Sequence, residues 1–599
     1  MNTIEAKPSA TFRTSARTTA GLTWALRLAP VAGGLACWSY SLDSLRPDSL
    51  GLYGLLAAVN PWFYAGLALL LGGFAAEFTR AKGQLWILAL HVVAIVVVIY
   101  ATVPLLFDSP EYSWVYKHIG VALSLKANGQ VTIPTDIYQA WPTFFSALAA
   151  VSSLSGTSPL TFATWAPLFF ELANCLVLFA IFRSLTRDSR IPILAVLLFE
   201  CFVSWVGQDY LSPQAFAYLL WFALVLVILR WLSGWAPSGP PTWWLTRVGT
   251  HVLRGFDYRP APPVATRMTA AILTITLFVV IVTSHQLTPY IGLIGLAGLA
   301  MLDLVRPRWL LPYLAFIAIG FLLTRYHLVS SQYGGLFSSF NVVQNASGTV
   351  KVHGSSAQAF TATVVHVLAF GMWLTALAVI VRSARSLGRV VIPAVLGFSP
   401  FVILFVQSYG GEAVYRVFLF SAPWCAYLIA TAIVQLRWSA VRHIATVFVP
   451  AAALLAGLQG LYGPVAVEAF TPAEVNASQW LYSHAPKGST FILGVDNFPV
   501  LETATYNSYH LQVMPSDPQL GEDWLNAGDL TEVDLWAGSL PGTETFLVVS
   551  DSMGAYSAYY GFPTGYVQLR QELPSASDWT VAFKNRNATI YRFTPPSPG

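Results

Sequence analysis

Charge is scarce in this sequence. Lys, Arg, Asp and Glu make up 10% of its 599 residues, where soluble domains carry about 25%. That excludes one large water-soluble fold. Cysteine is scarcer still: Cys37, Cys175, Cys201 and Cys425 all fall in apolar runs, which excludes a disulfide framework and a cysteine zinc site. The N-terminus lacks a small-residue cleavage site behind a short apolar core, so no cleavable secretory signal is expected. The first apolar run, 22–42, is long enough to span a bilayer and is expected to stay as a signal anchor. No internal repeat and no long low-complexity tract is visible.

What the chain has is apolar length, 55% hydrophobic and 14% aromatic. A span needs about 20 mostly apolar residues. On that measure spans are expected at 21–42, 55–78, 85–106, 160–182, 191–207, 212–232, 267–284, 286–304, 309–326, 359–381, 390–408, 414–436 and 443–463. The fold class is therefore a polytopic α-helical membrane protein of about thirteen helices. Arginine ends every even-numbered span: Arg80, Arg183, Arg247, Arg306, Arg382 and Arg437 open the loops that follow. Positive loops face the cytoplasm, so the N-terminal tail 1–20 is expected inside and the opposite loops outside, in a plasma membrane.

The net charge of +4 hides a division: residues 1–463 hold 27 Lys+Arg against 14 Asp+Glu, and residues 464–599 hold 5 against 14. The acidic tail 464–599 reads as a separate extracytoplasmic α/β domain, with a helix at 473–484 and strands at 490–493 and 546–550, and its charge excludes nucleic acid as partner. Residues 107–159 form a long, partly apolar loop expected to carry two interfacial helices. Residues 327–358 form a polar, Gly/Ser-rich loop.

With sides assigned, the polar motifs fall on one of them. Asp108, Glu111 and Tyr112 lie in FDSPEYSW, Gln208, Asp209 and Tyr210 in GQDYLSPQAF, His285 and Gln286 in SHQLTPY, and Glu412 and Arg416 in YGGEAVYRVF. Each motif sits at the outer end of a span. A carboxylate can deprotonate an acceptor hydroxyl, and an arginine, or a metal held by carboxylates, can stabilise charge growing on a leaving phosphate. One base suffices for a single displacement with inversion. Asp108, Glu111 and Asp209 are thus candidate catalytic residues. His285, Gln286, Arg416, Glu412, Tyr210, Gln208 and Tyr112 are candidate substrate and donor-phosphate contacts.

Each residue also has a plainer reading. Asp108 suits a helix end, Glu111 a first helical turn, Asp209 a tight turn, His285 a local hydrogen bond, and Glu412 with Arg416 an i,i+4 ion pair. The aromatics nearby (Tyr112, Trp114, Trp141, Tyr210, Tyr409, Tyr415) suit an interfacial belt. Two acids fall within spans, Glu171 and Glu200; they support the alternative of a transporter or flippase for a lipid-linked or envelope precursor.

The layout resembles the GT-C superfamily of integral-membrane glycosyltransferases, in which a catalytic acid follows the first core helix in a large extracytoplasmic loop. The segments GQDYLSPQAFAY, SHQLTPY and YGGEAVYRVFLFSAPW are similar to stretches of actinobacterial enzymes that use polyprenyl-phosphate sugars. In the tail, SQWLYSHAPKGSTFILG and NRNATIYRF are similar to their extracytoplasmic domain. The resemblance implies a GT-C catalytic region over 85–463, preceded by two extra helices over 21–84. It implies Asp108 as base, Asp209 as second acidic site and Arg416 as a phosphate ligand. The implied partners are a polyprenyl-phosphate sugar, a glycan, lipid or protein acceptor of the cell envelope, and membrane lipid. A divalent cation, Mg²⁺ or Mn²⁺, would fall to Asp108, Asp209 and Glu412. Ser-Pro separates Asp108 from Glu111, unlike the adjacent acids of protein O-mannosyltransferases, and the WWDYG signature of oligosaccharyltransferases is missing.

Overall fold

The structure, a computed structural model, describes residues 10–47, 50–132, 136–235, 252–333, 354–405, 412–516, 530–561 and 563–594. Most of the expected loop 327–358, together with Tyr409 and Arg247, lies outside these.

Long apolar helices dominate. Among the described residues eight are long and apolar enough to cross a bilayer: Pro61–Thr79, Leu85–Phe107, Pro159–Leu185, Pro213–Leu232, Val264–Ser284, Ser356–Arg382, Ala413–Val434 and Ser439–Glu468. Several expected spans are shorter or broken helices instead. The span expected at 286–304 is the helix Thr288–Met301, and that at 309–326 is Leu310–Leu323. The span expected at 191–207 is Arg190–Val203 followed by a 3-10 turn, and that at 390–408 is Val391–Phe398 continued as 3-10 helix to Phe405. The span expected at 55–78 breaks at Asn60, whose side chain accepts from the Trp62 amide at 3.0 Å and caps a new helix with Pro61 in its first turn. The first helix, Ala10–Asp43, begins well inside the tail expected at 1–20.

Helix Ala413–Val434 is the axis of the bundle. Of its apolar window 94% is buried, against 22% for Ser356–Arg382, which faces outward. Arg416 lies in the first turn of this central helix.

The first long loop folds as three helical pieces, Ser113–Asn128, Ile137–Ala140 and Thr143–Ser155, where two were expected. Gly129 and Gly156 end the two longer ones with positive φ. Buried aromatics of these pieces, Tyr116, Phe144 and Phe145, pack with Phe470 and Tyr506 of the tail. The residues expected to open the polar loop at 327 belong to a helix, Tyr326–Tyr333.

After Tyr462 the chain enters its α/β domain. Helix Pro472–His484 opens on a capping box between Thr471 and Glu474. Five strands follow among the described residues: β1 Thr490–Leu493, β2 His510–Val513, β3 Thr545–Ser550, β4 Trp579–Lys584 and β5 Ala588–Phe593. Their order is β2-β1-β3-β5-β4, with β1 parallel to β2 and β3, and β5 antiparallel to β3 and β4. β1 is apolar and buried throughout, as a central parallel strand requires.

Candidate functional site

Among the described residues four chain segments meet at one end of the bundle. The first, 108–112, leaves helix Leu85–Phe107 through Asp108 in the left-handed region (φ 54°) and re-enters a helix through Tyr112 (φ 69°). Asp tolerates that conformation; for a bulky Tyr it is an outlier of the kind that clusters at functional sites. Its position is fixed from outside: the Tyr112 amide donates to the Glu468 carbonyl at 2.8 Å, Glu111 pairs with Ala469 as an antiparallel bridge, and the Ser109 hydroxyl donates to the Phe470 carbonyl.

The second segment, 207–212, packs beside it. The Tyr112 and Tyr210 rings lie 5.2 Å apart. Gly207 has φ 58°, and a Cβ there would stand 2.5 Å from the Tyr112 hydroxyl. Gly207→Ala therefore combines left-handed strain with a steric push on Tyr112. Thermal unfolding in detergent is expected to show a loss of about 1–2 kcal/mol; an unchanged midpoint would contradict this close packing.

Asp209 is 7% exposed. Burial pushes its carboxyl up to about 7, in the range where a carboxylate exchanges protons at neutral pH. Burial also pushes Glu111 well above the usual carboxylate range, with the nearby Glu468 and Asp209 charges adding to the effect. A raised carboxyl pKa means the folded chain holds its proton more tightly than the unfolded one. Stability contributed by Asp209 is full at low pH and falls as pH rises from its ordinary 3.8 towards about 7. The gap in stability between wild type and Asp209→Asn should therefore shift in the variant's favour across that window and level off above it, as thermal scans from pH 4 to pH 8 would register.

Beneath Asp209 lies a cavity of about 10 Å³ lined by Gln208, Asp209, Glu171, Asn174 and Tyr100, room for about one water. The two acids within spans are bonded locally. Asn174 donates to Glu171 at 3.1 Å, and the Cys175 thiol donates to Glu200 at 3.0 Å.

The third and fourth segments supply the cationic side. His285 caps the end of helix Val264–Ser284. Its Nδ1 accepts from the Thr288 amide at 3.2 Å and lies 2.9 Å from the Thr288 hydroxyl, so the neutral ring carries its proton on Nε2. Burial first, then the Arg416 and His118 charges, push His285 down to about 3; it is a neutral donor, not a second cation. The charge comes from Arg416, buried, whose Nη2 donates to Glu412 at 2.6 Å. The Glu412 side chain is half exposed, at 50%.

His118 joins the two halves. Its ring stacks on Tyr210 at 5.8 Å and 3°, its Nδ1 lies 3.0 Å from the Leu211 carbonyl, and it lies within electrostatic reach of His285. Burial pushes it down to about 4, so it too is neutral at physiological pH.

The chain matches no protein-family model. It matches none of the curated proteins either. Solved structures similar to it include the apo oligosaccharyltransferase of Archaeoglobus fulgidus, at TM-score 0.48 and 13% identity over 86% of this chain and 75% of that one. Another is ArnT of Cupriavidus metallidurans bound to undecaprenyl phosphate, at TM-score 0.46 and 12% identity over 86% of this chain and 98% of that one.

Of the residues singled out in the sequence, Glu111 and Asp209 come together, as do Tyr112 and Tyr210, and His285 and Arg416 with Glu412. Gln208 shares the cavity below Asp209. Gln286 is half-buried beside His285. Asp108 stands at the rim, exposed, and no hydrogen bond or ion pair to its carboxylate occurs among the described residues. The three candidate cation ligands do not converge: among the described residues no group of three or more His, Cys, Asp or Glu is placed to hold a metal, and Glu412 is engaged by Arg416. Two residues were missed. His118 sits inside an otherwise ordinary helix, and Glu468 belongs to the chain leading into the tail; neither has a local signal.

Proposed function

We propose that this chain is an inverting glycosyltransferase of the GT-C type, moving a sugar from a polyprenyl monophosphate to a cell-envelope acceptor on the extracytoplasmic face of the plasma membrane. The observation that carries this reading is the meeting of remote segments at a bundle end, where Glu111 lies within electrostatic reach of Asp209, and the neutral donor His285 within reach of Arg416. Such a set of groups suits a reaction in which a proton leaves one reactant and negative charge builds on another.

In the proposed step the acceptor hydroxyl oxygen attacks the anomeric carbon as the bond from that carbon to the phosphate oxygen breaks. Asp108, exposed at the rim, takes the hydroxyl proton. The Arg416 guanidinium and the Nε2–H of His285 receive the charge on the departing lipid phosphate. Asp209 and Glu111 border the sugar and hold it by hydrogen bonds, aided by Tyr112 and Tyr210. Glu412 orients Arg416. Residues 468–470 bond to the 109–112 turn beside these groups, and there an acceptor glycan, lipid or protein would be held.

The test uses purified full-length protein in nanodiscs, labelled polyprenyl-phosphate pentoses and hexoses, and an envelope extract. Transfer of label out of the lipid fraction with an inverted anomeric configuration is expected. Export or flipping of the labelled lipid in sealed vesicles, with no new glycosidic bond, would overturn the reading in favour of a transporter.

A further inference from the structure

At the opposite end of the bundle lies a cavity of about 1050 Å³. Helix Ala413–Val434 runs from one site to the other: Arg416 lies in its first turn, and Thr431 and Gln435 at its far end line this cavity. The separation along the axis is about 22 Å at 1.5 Å per residue, so this is a second place, not an extension of the first.

Its lining is unbalanced. Arg183, Arg187, Arg230, Arg259 and Arg389 face it with one carboxylate, Asp257. Other acids at this end are committed elsewhere: Asp188 pairs with Arg190, Asp303 with Arg306 and Arg308, and Glu77 with Arg27 and Arg80. Asp257 does little to neutralise the group. It stands 3.7 Å from Arg187, with the two side chains 86% and 97% exposed, and such exposed pairs are worth about 0–1 kcal/mol. Among the described residues no carboxylate lies within ion-pair distance of Arg230 or Arg389.

Two of the arginines are also held in place. Arg183 donates through Nη1 to the Thr186 and Arg187 carbonyls at 2.7 and 3.1 Å. Arg259 is half-buried and donates to the Ser184 carbonyl, and Arg230 lies close enough for the two like charges to oppose one another. Clustered, positioned guanidinium groups with little counter-charge are the arrangement that binds phosphate. Part of the wall is apolar: Ile392 and Tyr427 are buried and Phe256 is half-buried, while Ser383, Thr431 and Gln435 also line the cavity. Arginine at the mouth and apolar side chains inside, at the ends of membrane-spanning helices, match a molecule with a phosphate head and a hydrocarbon body.

We propose that this cavity is a second binding site, taking a phosphate group, with a phosphatidylglycerol-type lipid as the source that fits both its charge and its apolar wall. The site is independent of the proposed transfer chemistry, and its test needs no turnover.

The full-length protein is titrated with phosphatidylglycerol in detergent and the bound lipid counted by native mass spectrometry. Parallel arms use phosphatidylcholine and inorganic phosphate. Saturable binding of phosphatidylglycerol is expected, at least about tenfold weaker in the double variant Arg230→Gln with Arg389→Gln, and unchanged in Arg385→Gln with Arg437→Gln, whose positions lie outside the cavity. Binding of inorganic phosphate, lost in the same double variant, would keep the phosphate site and name a soluble ligand as its source. Equal phosphatidylglycerol binding by the wild type and the cavity variant overturns the proposal. Should the double variant fold poorly, Arg187→Gln gives the same reading, because that side chain is almost fully exposed.

Discussion

Asp108→Asn is expected to lower the turnover of sugar transfer by about 10²–10⁴, the range associated with a positioned general base, while donor KM stays within about twofold. The physical ground is its setting. Asp108 caps the helix Leu85–Phe107 in a left-handed conformation, its amide bonded to the Pro104 carbonyl, with an exposed carboxylate to which no described side chain donates. A base must be open to its substrate, and Asp108 is the most exposed of the three acids. The substitution keeps size and helix-end geometry, since Asn also tolerates this conformation. Single-turnover rates with labelled donor separate chemistry from binding. Transfer at the wild-type rate would remove Asp108 from the base role, and the parallel variant Asp209→Asn would then be the one to examine. An Asp209 base would instead show as a pH limb near 7 that disappears in Asp209→Asn, because burial holds that carboxyl at about 7.

The second large effect is expected at Arg416. Its guanidinium starts the central helix, is buried, and donates to a half-exposed Glu412. Arg416→Gln removes the formal positive charge that this helix brings to the phosphate. A loss of about 10²–10³ in kcat/KM is expected, the cost typical of one donor that serves developing negative charge. Arg416→Lys should recover only part of it, because a single ammonium cannot reproduce the planar fork. Glu412→Gln should act mildly and mainly on KM, since it loosens the arginine without removing it. Steady-state assays would rank Arg416→Gln lowest, Arg416→Lys between, and Glu412→Gln highest. Equal activity for all three would reduce the pair to a helical ion pair, the plainer reading of its i,i+4 spacing.

Parts of this architecture are legible in the sequence for definite reasons. Strand Thr490–Leu493 is legible at its observed bounds because a short, mostly apolar run opened by a β-branched Thr between turn residues has few alternatives. The helix expected at 473–484 begins one residue earlier, at Pro472, because the chain uses the Thr471–Glu474 capping box. The break at Asn60–Pro61 has its signal in plain view, an N-cap residue followed by proline, but apolar length outweighs it. The broken helix at 390–408 has its signal in Ser399 and Pro400, where the 3-10 stretch begins, and apolar length outweighs it in the same way. The site divides in the same way. Residues next to span ends stand out because polar side chains at a membrane boundary are conspicuous. His118 and Glu468 escape notice because their role arises only from tertiary placement: one reaches Tyr210 and His285 from within a helix, the other reaches Glu111 from the far end of the last long helix.

The seam between residues 109–112 and 468–470 has a further implication. The strained turn that carries Asp108 and Glu111 borrows its shape from a stretch of backbone some 360 positions downstream. Synthesis must therefore reach the tail before the turn can adopt its final form. A chain cut after the last membrane helix would still insert and bury its apolar surface, yet its outer rim would be unfinished. In this molecule the α/β domain belongs to the assembly of a turn that precedes it by some 360 positions.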